Sequence, residues 1–245
     1  MSRIFVPSTG PDDWRKLLAD PDTQWRSGFS AHGLAHCWEQ ANGFPPEVVD
    51  LFAHSDVPAI QRMDLLAAFP EYRVALPGHG RSSQNDLFVL ARSGDGRLAA
   101  IMVEGKVSEP FGPTVGQWQK AASDGKRVRL AALTSLLGLD NVPAHIRYQL
   151  LHRTASAVIA ARRFNAAGTL MLVHSFSDNG ARFEDFAAFA HLFGVDAQPG
   201  TLHVLRLMHD IRLCAGWVHG RAVPTQRVES ALGAGNSDAG VRQNA

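Results

Sequence analysis

Asp86, Glu104 and Lys106 stand at the outer ends of two apolar runs in the stretch "QNDLFVLARSGDGRLAAIMVEGKV", Gln84 to Val107. Charges at the ends of strands fit for the middle of a sheet are costly unless something compensates them. The link "SGDGR" between the runs is glycine-rich, as hairpin turns are. With a three-residue loop of Gly94, Asp95 and Gly96, paired positions add to a constant and Asp86 falls opposite Glu104. Side chains alternate along a strand, so Lys106 shares the face of Glu104 while Gly105 leaves the other face bare. A four-residue loop would instead send Glu104 to the face opposite Asp86.

Two neighbouring carboxylates repel each other and raise one another's pKa unless a cation sits between them. A hard divalent ion supplies that cation. Mg²⁺ or Mn²⁺ takes oxygen ligands and keeps waters while binding one or two carboxylates and substrate phosphates, so Asp86 and Glu104 suffice without a histidine. The Lys106 ammonium would then orient a water or stabilise charge developing on the phosphorane. The trio is expected at one edge of the sheet and outside its core. An ion pair at the sheet rim is the plain alternative for the same three residues.

Helical spacing of Leu34, Cys37, Trp38 and Ala41 predicts a helix over Ser30 to Ala41, closed by Gly43, Pro45 and Pro46. A short helix follows over Pro46 to His54, then a strand in "YRVALPG", Tyr72 to Gly78. Beyond Lys106, helices are expected over Val115–Ala122, Lys126–Leu137 and His145–Phe164, the last with Pro143 as its start signal. "GTLMLVHSF", Gly168 to Phe176, reads as a buried strand. A helix near Phe183–Phe193 and one or two strands in "LHVLRLMHDIRLCAGWVHG" complete an α/β pattern. Residues 1–220 are expected to form a single domain, and the small, polar residues 221–245 a disordered tail.

The composition removes several classes of function. With 24 Lys and Arg against 23 Asp and Glu, the net charge of +1 provides no global field for nucleic acid, so an anionic partner must be held locally. The separated Cys37 and Cys214 fit reduced thiols better than a disulfide framework. No basic region followed by an apolar run opens the chain, and no stretch of about 18 apolar residues occurs, so a cytoplasmic protein without a membrane partner is expected.

Asp86, a hairpin and then Glu104-Gly105-Lys106 together resemble the PD-(D/E)xK nuclease superfamily. The likeness covers mainly Tyr72 to Val107 and, more loosely, Ser30 to Phe176. Asn85 stands where the motif often has proline. The resemblance implies a restriction-endonuclease-like αβββαβ core, a central mixed sheet flanked by helices, here with extra C-terminal strands. It implies Mg²⁺- or Mn²⁺-dependent hydrolysis of a nucleic-acid phosphodiester, more readily DNA than RNA, with Asp86 and Glu104 as metal ligands and Lys106 near the water. Some branches place an additional metal-binding glutamate on the first helix, where Glu39 falls here, although an ordinary solvated residue fits that position equally. Gln149 falls where one branch has a glutamine on the helix after the Glu-x-Lys strand.

Gln149 and Arg153 belong to a polar turn, "RYQLLHR", which reads either as a phosphate-contacting edge or as a solvent-facing helix start. In "GHGRSS", His79 and Arg81 could meet a phosphate, or the loop could be a plain turn; it lacks the ending of a P-loop. Lys120, Lys126, Arg127 and Arg129 fit either a nucleic-acid backbone or a solvated helix face. His32 and His36 share a helix face but lack the glutamate of a His-Glu-x-x-His site. Two classes of function follow: a nuclease, or a non-catalytic binding module of the same fold. With no recognisable DNA-binding appendage, the nuclease would draw on a narrow groove, a homodimer or a protein partner to hold its substrate.

Overall fold

The computed structural model describes residues 8–78, 80–120 and 123–221. His79 and all of the expected disordered tail except Arg221 lie outside the described residues. Strands β1 (Met63–Val74), β2 (Ser83–Ser93) and β3 (Leu98–Lys106) form an antiparallel meander. Strand β4 (Gly168–Ser175) then adds parallel to β3, and a hairpin of β5 (Leu202–Met208) and β6 (Ile211–His219) follows, with β6 parallel to β4. The result is a six-stranded mixed sheet of order β1-β2-β3-β4-β6-β5. Strands buried on both faces carry unbroken apolar runs, which is why β4 shows no polar alternation.

Helices flank both faces of this sheet. After a 3-10 turn at Pro11–Leu17 come α1 (Pro21–Gln24), α2 (Ser30–Ala41) and α3 (Pro46–Ala53). The crossover from β3 to parallel β4 carries α4 (Val115–Gln119), α5 (Asp124–Leu137) and α6 (Tyr148–Arg163), and α7 (Phe183–His191) precedes the last hairpin. Odd-numbered β3 residues Ile101 and Val103 pack with Leu34, Trp38, Leu51 and Phe52 from α2 and α3. The even-numbered neighbours Ala100 and Met102 pack with Ala157, Ala160 and Ala161 of α6. Among the described residues no helix is long and apolar enough to cross a membrane.

Among the boundaries that differ from the sequence reading, two have a clear structural cause. The first strand begins at Met63 and ends at Val74, so Tyr72 to Gly78 covers only its end. Pro70 is tolerated inside it because β1 is an edge strand and can spare a ladder donor. Helix α6 begins at Tyr148, three residues after the expected start, because the Ile146 carbonyl accepts from Val115 N at 2.7 Å and Arg147 bridges to Thr114.

Candidate active site

The hairpin has the register of a three-residue loop. Leu87 pairs with Val103 and Arg92 with Leu98, and Ser93 N donates to the Arg97 carbonyl around Gly94, Asp95 and Gly96. Gly96 takes φ +83°, a left-handed conformation that glycine adopts without strain. One step beyond the Leu87–Val103 pair, Asp86 and Glu104 therefore stand opposite each other. Gly105 turns to the other face, where an added Cβ would come within 3.3 Å of Ser30; its bareness lets α2 lie close on β3.

Helix α6 completes the site from above. Glu104 Oε1 accepts from Lys106 Nζ at 2.7 Å and from Gln149 Nε2 at 2.6 Å, and Arg153 Nε donates to Glu104 Oε2 at 2.5 Å. Arg153 Nη2 is also 3.6 Å from Asp86 Oδ1, while Gly105 N donates to Asp86 Oδ2 at 2.9 Å. Lys106 Nζ lies 4.8 Å from the centre of the Phe111 ring. The expectation that the trio stands clear of the core is corrected here: Glu104 is 1% and Lys106 4% exposed, and only Asp86, with 21% of its side chain exposed, opens to solvent. Burial under α6 is the reason.

A third carboxylate completes a row across the strands. Glu71 falls between the Pro70–Leu87 and Tyr72–Asn85 pairs, across β1 and β2 from Asp86, and lines the same cleft. Its backbone is left-handed, φ +52°, and its Oε2 accepts from Gln84 Nε2 at 2.8 Å. Burial, then the Asp86 charge, pushes Glu71 up to about 8. Burial, then the Glu104 charge, likewise pushes Asp86 up to about 7. Burial acts to raise Glu104 too, but the Arg153 and Lys106 charges together outweigh it and hold that carboxyl at about 2. Glu104 is thus compensated by Arg153 and Lys106, whereas Asp86 and Glu71 keep their protons to higher pH than free carboxyls do.

The remaining candidates divide. Gln149 and Arg153 reach the trio, where both are bonded to Glu104. Glu39 is held away from it: its carboxylate accepts from Trp14 Nε1 at 2.8 Å and Ser8 Oγ at 2.7 Å, and it does not line the cleft. The exposed Arg81 offers its backbone carbonyl to Arg129 Nη1 at 2.7 Å. The His32 ring packs at a tilt against both His36 and Trp25. Glu71 and Gln84 escaped the sequence reading, since a carboxylate across from Asp86 is visible only once β1 is extended back through Pro70.

Cys37, Glu47 and His174 bring ligand atoms within 4.8 Å of one another. Their hydrogen bonds give each of them a partner within the protein. An indole N–H can only donate, so Trp38 Nε1, 3.1 Å from His174 Nδ1, fixes that nitrogen as the acceptor. The ring proton is then on Nε2, which donates to Glu47 Oε1 at 2.7 Å, and the imidazole has no lone pair left. Burial, which lowers the His174 pKa, keeps the ring neutral. Burial also pushes the Cys37 thiol up to about 12. The cluster is a clasp joining α2, α3 and β4.

The model of one protein family, described as a domain of unknown function (DUF6946), matches residues 7–222 of the chain. No curated protein and no solved structure matches it.

Proposed function

This chain belongs to the DUF6946 family, and we propose that it is a metal-dependent nuclease hydrolysing phosphodiester bonds of nucleic acid, with DNA preferred to RNA. The observation that carries this reading is the convergence of Asp86, Glu104 and Lys106 in one open cleft. The finer fold assignment, a restriction-endonuclease-like core, draws support from the succession α2, β1, β2, β3, α6, β4, with α3, α4 and α5 as insertions and β5 and β6 as additions.

The donor set fits a hard cation. Asp86 Oδ1, Glu104 Oε2 and the Glu71 carboxylate offer only oxygen, and Glu104 Oε2 retains a lone pair beyond the one facing Arg153. Arg153 stands between Asp86 and Glu104 as an internal counter-charge. Bound there, Mg²⁺ or Mn²⁺ would polarise a phosphate oxygen and ease proton loss from water. Lys106 has three N–H donors and one carboxylate partner, so two donors remain to orient a water or meet a phosphate oxygen. Gln149 fixes the Glu104 rotamer by its hydrogen bond. A homodimer or partner protein would supply the further surface that a near-neutral chain needs to hold nucleic acid.

One observation favours a non-catalytic binding module: Lys106 and Arg153 already satisfy Glu104 without a metal. Incubating the purified protein with labelled single- and double-stranded DNA and RNA separates the readings. The nuclease cuts with Mg²⁺ or Mn²⁺ and stops with chelator. Binding without cutting under any metal condition assigns the module instead.

A further inference from the structure

Arg129 on α5 is set apart from the basic residues around it. Lys126 Nζ donates to the Trp118 carbonyl at 3.0 Å and sits over the Trp118 ring, and Lys120 is exposed. Arg129 is 8% exposed, and among the described residues no carboxylate pairs with it. Its Nη1 donates to the Arg81 carbonyl, whereas Nε and Nη2 are sealed from water and have no hydrogen-bond partner. These two nitrogens lie on one edge of the guanidinium, the fork that receives two oxygens of a carboxylate or phosphate. A buried guanidinium answered only by a neutral carbonyl lacks its counter-charge.

A further donor without a partner stands beside it. The Tyr148 hydroxyl, on a side chain 8% exposed, also makes no hydrogen bond. Arg129 is its neighbour: the charge of that cation and its approach within hydrogen-bonding reach both oppose the rise in the Tyr148 pKa caused by burial, although the two groups make no hydrogen bond of good geometry. The Tyr148 ring is fixed by stacking on Trp118, with centroids 4.0 Å apart and planes 14° from parallel. Gly80, at φ +118°, rests against the guanidinium, where a Cβ would come within 3.3 Å of Nη2. From here a path of contacts leads to the carboxylates. Tyr148 packs on His152, whose Nδ1 is 2.9 Å from Ser83 Oγ, and Ser83 Oγ accepts from Arg153 Nη1 at 3.0 Å.

We propose that Arg129 and Tyr148 form an oxyanion subsite that takes a phosphate group of the ligand, next to but separate from the Asp86–Glu104 cleft. Two guanidinium N–H groups and the phenol O–H grip the oxygens, and the phosphate supplies the charge that Arg129 lacks. Binding at this subsite needs neither a metal nor hydrolysis, so it can be tested in chelator whatever the cleft does.

The probe is inorganic phosphate, titrated into wild type, Arg129→Met, Arg129→Lys and Tyr148→Phe in a buffer free of other oxyanions, with thermal unfolding as the readout. Phosphate is expected to raise the unfolding temperature of wild type, to leave Arg129→Met unmoved, and to bind Tyr148→Phe about tenfold more weakly, the loss of one hydrogen bond to a charged group. Arg129→Lys keeps the charge without the fork and should also bind weakly. In the absence of phosphate, Arg129→Met should unfold no lower than wild type, because it removes an uncompensated charge. Oligonucleotides with and without a 5′-phosphate identify the source: preference for the phosphorylated end through Arg129 marks a terminal phosphate, and equal binding that still depends on Arg129 marks an internal one. A phosphate response absent in wild type, or equal in wild type, Arg129→Lys and Tyr148→Phe, overturns the proposal. So does a large loss of stability in phosphate-free Arg129→Met, which would make Arg129 a structural support of the Arg81 carbonyl.

Discussion

Asp86→Asn is expected to abolish hydrolysis while raising the stability of the metal-free protein. Losing a ligand forfeits several kcal/mol of transition-state stabilisation, so the rate should fall by about 10³-fold or more. The gain in stability has a separate cause. Burial and Glu104 hold the Asp86 carboxyl at about 7 against the opposing pull of Arg153 and Lys106, so above that pH the folded chain carries a charge it compensates only in part, and a neutral amide of the same shape removes it. Lys106→Ala should lose activity on a similar scale, but without the gain, because it strips a cation from buried Glu104. Initial rates with Mg²⁺ and unfolding temperatures in chelator measure both effects. A variant that lost activity merely by failing to fold would show a fall in both.

Arg153→Met should be the most destabilising single change near the site. Arg153 compensates Glu104 directly, stands near Asp86 and bonds Ser83. Breaking a buried pair from one side costs about 3–5 kcal/mol, because the abandoned carboxylate remains buried. For a chain of this size that corresponds to an unfolding temperature lower by roughly 10 °C or more. Arg153→Lys should recover part of the loss through its charge but not the forked geometry. Chemical denaturation of the three proteins in chelator gives the differences. Equal stability of wild type and Arg153→Met would mean that the pairing contributes nothing net.

The hairpin register was legible because it needs only local information: an alternating period, a glycine turn and charges at matched distances from it. The partners of Glu104 were legible only in part. "RYQLLHR" announced a polar helix turn, but nothing near it in sequence says that Gln149 and Arg153 fold back onto a strand some 45 positions earlier. Without that cover, Glu104 and Lys106 read as rim residues, and their burial was missed. Glu71 was hidden twice, by a strand that begins before its turn signal and by a left-handed backbone at a residue that is not glycine. Glu39 shows the converse: the helix was located at Ser30–Ala41, but the two readings of Glu39 could not be separated, because the direction of its side chain is set by Trp14 and Ser8. Arg129 cannot be told from Lys126 or Arg127 by type and spacing, because its isolation depends on Gly80 and Tyr148 packing around it.

The most direct test of the central claim, that Asp86 and Glu104 hold a divalent cation, is the unfolding temperature of wild type and Asp86→Asn across pH, with and without Mn²⁺. Asp86 and Glu71 have folded pKa values of about 7 and about 8, raised from 3.8 and 4.5, so the metal-free chain holds those protons more tightly than the unfolded chain. Their contribution is therefore lost as pH climbs from about 4 to about 8. A bound cation favours the deprotonated form, so Mn²⁺ should stabilise wild type more at the upper end of that window than at the lower, and Asp86→Asn should lose this response. Mn²⁺ that leaves wild type unmoved at every pH, or that stabilises both proteins alike, would contradict it.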